Sequence, residues 1–262
     1  LDDLNAEFER LNALRRGRTQ ALQKFQKHLA QLKFFDPACG CGNFLVITYR
    51  ALRRLETRVL RELHSDGQMS LNVELISLVN VDQFYGIELN EFPVRIAEVS
   101  MWMMDHLMNQ ELSSLGTAYT RIPLTHKAQI QQGDALEVDW NDVLPRSECH
   151  YILGNPPFVG AKNQTTQQRA QIHRIADLGK KKGTLDYVTA WFLKAGEYIQ
   201  DSTAQIGFVA VNSVTQGDQV AQLWPLLFER YNLEISFAHQ TFSWGATTES
   251  KSRKRGNKAT KK

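Results

Sequence analysis

The stretch DPACGCGNF, Asp36 to Phe44, follows a short apolar run and opens a long helical stretch. An acid, a rigid proline and glycines at Gly40 and Gly42 make a turn in which a ligand can lie against bare backbone. A dinucleotide fingerprint needs a third glycine where Leu45 stands, and a phosphate-cradling loop needs Gly-Lys-Ser/Thr where Gly42, Asn43 and Phe44 stand. Both are excluded, and the remaining chemistry is that of a ligand without phosphate. Two further acids, Glu88 and Asp134, also stand at the ends of strand-like stretches, FYGIELN and AQIQQGDA. A carboxylate such as Glu88 can accept from ribose hydroxyls, Asp134 can accept from an adenine amine, and a methionine portion can lie over the two glycines. S-adenosylmethionine presents all three groups.

The stretch NPPF, Asn155 to Phe158, carries the second chemistry. Consecutive prolines fix two backbone torsions and remove two amide donors, and Asn155 is pushed to an extended conformation by the proline after it. The Asn155 side-chain carbonyl and the Pro156 backbone carbonyl can each accept one hydrogen of an exocyclic amine, turning its lone pair toward a methyl donor. Phe158 can stack on the base. Such a reaction needs no metal and no strong base before attack, and none of the seven histidines falls into a metal-binding spacing.

These residues need a scaffold that brings strand ends together. Apolar spacing in residues 1–33 predicts two packed helices interrupted near Gly17. The stretches LKFF, FYGIELN, AQIQQGDA, HYILG, QIGFVAV and LEISFAH read as strands. Helical spacing is expected from Asn43 to about Leu63, through FPVRIAEVSMWMMDHLM, from Leu185 to Ile199 and from Gln219 to Tyr231. Strands alternating with helices imply an α/β fold with a mostly parallel sheet, whose ligands sit at the carboxyl ends of the strands. Asp36, Glu88, Asp134 and Asn155 all fall at such ends.

At these residues the sequence resembles the adenine-specific DNA methyltransferases with Asp-Pro-Pro/Ala-x-Gly-x-Gly-x-Phe and a later Asn-Pro-Pro-Phe/Tyr. The stretches FYGIELNEFPVRIAEVSMWMMDHLMN, LGNPPFVGAKNQ, GTLDYVTAWFLKA and NSVTQGDQVAQLW narrow the resemblance to the MmeI-like methyltransferase domain of single-chain restriction-modification enzymes, over roughly residues 1 to 244. The resemblance implies a Rossmann-like core that uses S-adenosylmethionine to methylate adenine in double-stranded DNA after the base is flipped out. It places the cofactor against Asp36, Pro37, Ala38, Gly40, Gly42, Phe44, Glu88, Asp134 and Ala135, and the adenine against Asn155, Pro156, Pro157 and Phe158. It also implies a strand between QIGFVAV and LEISFAH, a target-recognition domain beyond it and a nuclease domain upstream. Their absence from residues 1–262 makes the expected organisation a helical segment at 1–33, a truncated catalytic core at 34–244 lacking C-terminal strands, and a basic disordered tail at 245–262. A core of that kind is expected to be inactive alone. Methylation of RNA adenine or of a protein glutamine uses the same turn and stays an alternative, as does a noncatalytic remnant with weak nucleic-acid affinity.

Composition fits this picture. A chain of 262 residues with 42% hydrophobic content can bury one α/β core. Seven of the 31 basic residues and none of the 28 acids lie in Lys251 to Lys262, leaving 24 against 28, a net of −4 for the remainder. Nucleic-acid contact must therefore rest on local patches. The GKKKG stretch with Lys180 to Lys182, together with Arg169 and Arg174, is either such a patch or a solvated loop. Three cysteines, Cys39, Cys41 and Cys149, are expected to be structural thiols. The first residues lack the pattern of a signal peptide and no apolar run approaches the ~20 residues of a bilayer span, so a cytoplasmic location is expected.

Overall fold

The computed structural model describes residues 1–64, 77–113, 126–177, 185–217 and 219–239. The Lys180 to Lys182 stretch and the basic tail at 245–262 lie outside them. Helices α1 (Asp2–Asn12) and α2 (Arg18–Gln31) precede β1 (Phe34–Asp36), and α3 (Asn43–Leu63) follows it. Next come β2 (Phe84–Glu88), α4 (Glu91–Ser113), β3 (Gln129–Gln132) and β4 (Tyr151–Gly154). Helices α5 (Thr166–Ala176) and α6 (Thr189–Tyr198), strand β5 (Gln205–Phe208) and helix α7 (Val220–Pro225) complete the order.

The five strands form one parallel sheet in the order β3-β2-β1-β4-β5. The chain leaves β1 to build one half through β2 and β3, then returns to the other flank of β1 with β4. In an open parallel sheet that reversal is where strand-following loops part and a ligand crevice opens. Asp36 ends β1 and Asn155 follows β4, so the two sequence motifs meet there.

Alternation along β1 divides the core between the two faces. Phe34 stacks on Phe84 at 4.9 Å and on Tyr151 at 5.2 Å, on the face covered by α1 to α4. Phe35 meets Trp140 edge-on at 5.2 Å, on the face covered by α5 to α7. Both phenylalanines are almost fully buried, as expected of a strand covered on both sides.

Four sequence expectations change. Residues 233–239 are not a strand: they form no ladder, and Ile235 and Phe237 are exposed. A β-type pattern becomes a strand only with a pairing partner, and β5 pairs with β4 alone among the described residues. The expected helix from Gln219 to Tyr231 divides into α7 and a π-turn over Leu226–Arg230, with Pro225 at the junction. Pro225 has no amide to donate, which interrupts the regular helical ladder. The helix expected from Leu185 begins at Thr189 instead, because residues 185–188 hydrogen-bond to neighbouring loops. Finally, α5 lies in a stretch read only as polar. A capping box in which Thr165 and Gln168 bond each other's backbone amides starts it.

Candidate functional site

The loop after β1 is built around the Asp36 side chain. Its carboxyl is buried, Oδ1 accepts from the Ala38 amide at 3.0 Å, and Oδ2 has no hydrogen-bond partner. Burial pushes the carboxyl up to about 7 against the pull of the Ala38 amide, and the Glu88 charge adds to the rise. Gly40 and Gly42 have φ of 53° and 82°, left-handed backbone that suits glycine. Open space surrounds Gly40, whereas a side chain at Gly42 would press on Ala97 at 3.0 Å. Gly40 thus leaves room at the loop surface, and Gly42 lets the start of α3 pack on α4.

Glu88, half-buried at the end of β2, accepts from the Gly40 amide at 3.2 Å and the Asn90 amide at 3.0 Å. Its carboxylate therefore touches the glycine loop directly. After β3, Asp134 accepts from the Leu136 amide at 2.9 Å and from Gln171 Nε2 of α5 at 2.8 Å. Ala135 is buried beside it, Pro37 is buried behind the first loop, and Ala38 and Phe44 are half-buried. The structure brings all nine of these residues to neighbouring strand ends.

The turn after β4 lies against this group. Gly154 has φ of 149°, and a Cβ there would overlap Asp36 Oδ1 and stand 3.0 Å from Asp36 Cγ. The residue just before Asn155 is thus in contact with the first acid of the glycine loop. Pro156 is buried, while Asn155, Pro157 and Phe158 are exposed, Phe158 to 55%. Asn155 has no hydrogen-bond partner among the described residues. A large exposed ring beside a rigid polar turn is able to stack on a planar group.

Comparisons with known proteins give the family. The family described as "MmeI, DNA-methyltransferase domain" matches residues 12–254. The chain belongs to that family. A solved structure of the Type IIL restriction-modification enzyme MmeI in complex with DNA is 49% identical, with a TM-score of 0.87, over 94% of this chain and 32% of that one. "DNA methyltransferase A" of Bacillus subtilis (strain 168) is 38% identical over 85% of this chain and 25% of its own length. A putative type II restriction enzyme and methyltransferase of Methanocaldococcus jannaschii is 26% identical over 66% of this chain and 15% of its own length. The chain therefore spans a third or less of the proteins it matches.

Within this MmeI-type domain, one element escaped the sequence reading of the site. Residues 186–194 reach the loops after β1, β3 and β4. Trp191 Nε1 donates to Pro37 O at 3.2 Å, and Lys194 Nζ donates to Ala135 O at 2.7 Å and Val138 O at 2.6 Å. Burial lowers the Lys194 pKa, opposed by Asp139, Glu137 and Asp134. The visible signal was an acid and a lysine in an otherwise apolar helical stretch, LDYVTAWFLKA. Arg174 is also placed: it pairs with Glu137 at 2.8 Å and donates to Leu136 O at 3.3 Å, so it buttresses the Asp134 loop. The described cysteines are free thiols, with Cys39 and Cys149 buried.

Proposed function

We propose that this domain transfers the methyl group of S-adenosylmethionine to the N6 amine of an adenine turned out of DNA. The observation that carries the reading is the meeting of two loops at the sheet's reversal point, where Gly154 rests on Asp36 and delivers Asn155 beside the glycine loop. The residues present fit the cofactor. Asp36 Oδ2 is a buried acceptor without a donor, and Gly40 borders open space. Glu88 and Asp134 add carboxylates that can accept from ribose hydroxyls and an adenine amine. What the cofactor supplies when bound is an electrophilic methyl group on a sulfonium.

The chain's own part is positioning. The Asn155 side-chain carbonyl and the Pro156 carbonyl accept the two amine hydrogens, which directs the nitrogen lone pair to one side of the base. The prolines hold both acceptors without further hydrogen bonds, and Phe158 stacks on the ring. No general base is required before the attack, because the neutral amine is itself the nucleophile; as the new carbon–nitrogen bond forms the methyl–sulfur bond would break, S-adenosylhomocysteine would leave, and the methylated nitrogen would lose its proton to solvent afterwards. Extrusion of the base follows from the same geometry, since an amine paired within a duplex cannot reach Asn155. DNA as the substrate draws support from two relatives, one named a DNA methyltransferase and one solved with DNA.

The deciding experiment follows label from S-adenosylmethionine in the protein that carries this domain, offered DNA, RNA and protein separately. Label confined to DNA adenine is the expected result. Label in RNA adenine or protein glutamine, or none in DNA, would overturn the reading.

A further inference from the structure

Two consecutive residues, Asp186 and Tyr187, send their side chains to different loops. Asp186 Oδ1 accepts from the Ala161 amide at 2.9 Å, and Oδ2 accepts from Ser213 Oγ at 2.6 Å and Gln219 Nε2 at 2.8 Å. The Tyr187 amide donates to Val159 O at 2.9 Å. Val159 and Ala161 are in the irregular segment that leaves the Asn155–Phe158 turn, so Asp186 and the Tyr187 backbone hold its exit in place. The Tyr187 hydroxyl instead donates to Gln171 Oε1 at 2.8 Å, and Gln171 Nε2 donates to Asp134 Oδ2 and Glu137 Oε1, both at 2.8 Å.

These bonds are not incidental packing. Asp186 lines an open cleft of about 450 Å³ with Gly160, Lys162, Ser213 and Gln216, yet its oxygens face three protein donors rather than the cleft. Three donors on one carboxylate fix its orientation. Gln171 is buried and spends both amide hydrogens and its carbonyl on this chain of contacts, which fixes one orientation of its side chain. The result is one short segment that sets two sites.

We propose that Asp186 and Tyr187 are separate positioning residues for the transfer reaction, Asp186 setting the exit of the target-base turn and Tyr187, through Gln171, setting the Asp134 carboxylate. The proposal rests on the functional reading above for what the two sites bind. It requires that two adjacent substitutions damage different sites, which general loosening of the fold cannot produce.

The test uses the full chain as wild type, Asp186→Asn and Tyr187→Phe, with Ser213→Ala as a milder variant on the Asp186 side. Backbone amide hydrogen exchange needs no ligand. Asp186→Asn should speed exchange at Ala161 about tenfold and leave Leu136 unchanged, and Tyr187→Phe should do the reverse. Ser213→Ala should move Ala161 in the same direction by a smaller factor. Calorimetry with S-adenosylmethionine should show about tenfold weaker binding for Tyr187→Phe and less than twofold change for Asp186→Asn. Fluorescence of a single-stranded oligonucleotide carrying 2-aminopurine should respond about tenfold less to Asp186→Asn and normally to Tyr187→Phe. Equal effects of both variants on both loops, or no effect of either, would overturn the proposal. If the wild type binds neither probe while the crossed exchange pattern holds, the functional reading fails and the positioning assignment stands.

Discussion

The strand ends of β1, β2 and β3 are organised differently from the end of β4. On the first side every carboxylate already holds a backbone amide of a site loop: Asp36 that of Ala38, Glu88 those of Gly40 and Asn90, and Asp134 that of Leu136. On the second side Asn155 has no partner among the described residues and Phe158 is 55% exposed. One half is held by hydrogen bonds to its carboxylates, the other by proline torsions within the turn and hydrogen bonds at its exit. A site that must retain a ligand gains from fixed acceptors, because little ordering remains to be done on binding. A site that must admit a base from a duplex needs an open approach, and prolines stiffen it without occupying its acceptors.

The sharpest way to break this comparison is Asn155→Ala. It should lower turnover at least a hundredfold while cofactor affinity stays within a few-fold, because the lost acceptor acts on the amine in the transition state. Steady-state rates with labelled cofactor check this, and near wild-type turnover would remove Asn155 from the mechanism.

Asp36 tests the other half through pH. Burial raises its carboxyl to about 7 in the folded chain, against an ordinary value near 4 when unfolded. Between about pH 4 and pH 7 the folded state holds a proton that the unfolded state releases. The stabilisation is full below pH 4 and is lost as pH rises through 7, an effect of at most about 4 kcal/mol. Denaturation of wild type and Asp36→Asn at pH 5 and pH 8 measures the difference, and parallel profiles would show that Asp36 is not the titrating group.

Gly154→Ala probes the seam between the halves. The added methyl group meets the Asp36 carboxyl at a backbone angle that disfavours side chains, so the midpoint of thermal unfolding should fall by the equivalent of about 3 kcal/mol. An unchanged midpoint would show that the two loops are not in contact. Glu88→Ala should weaken S-adenosylmethionine binding by ~1–3 kcal/mol, read by calorimetry. Phe158→Ala should have the smallest effect on the fold, within about 0.5 kcal/mol, since the ring is exposed, and cost ~1–3 kcal/mol in base binding. A large loss of stability would mean that the ring belongs to the core.

Much of this was legible in the chain itself. Asp36 and Glu88 announce themselves because each closes an apolar run, Asp134 follows the shorter pattern AQIQQG, and Gly40, Gly42 and the NPPF turn carry their backbone requirements in their residue types. The parallel α/β class follows from alternation of the two periodicities, and five of six expected strands form. The sixth, at 233–239, has the right pattern and no ladder, since pattern reports what a residue can bury and pairing depends on what stands beside it. Helix α5 was overlooked because its stretch is polar, although its capping box was present at Thr165 and Gln168.

The sequence by itself determined which groups could do chemistry and that they would sit at strand ends, because those properties reside in single residues and short spacings. Only the tertiary structure decided that β4 returns beside β1, that Gly154 touches Asp36, that Gln171 faces Asp134, and that Asp186, Tyr187, Trp191 and Lys194 reach loops up to 154 residues away. Those contacts depend on strand order and helix docking, which are set by burial summed over the whole core and are encoded in no local pattern.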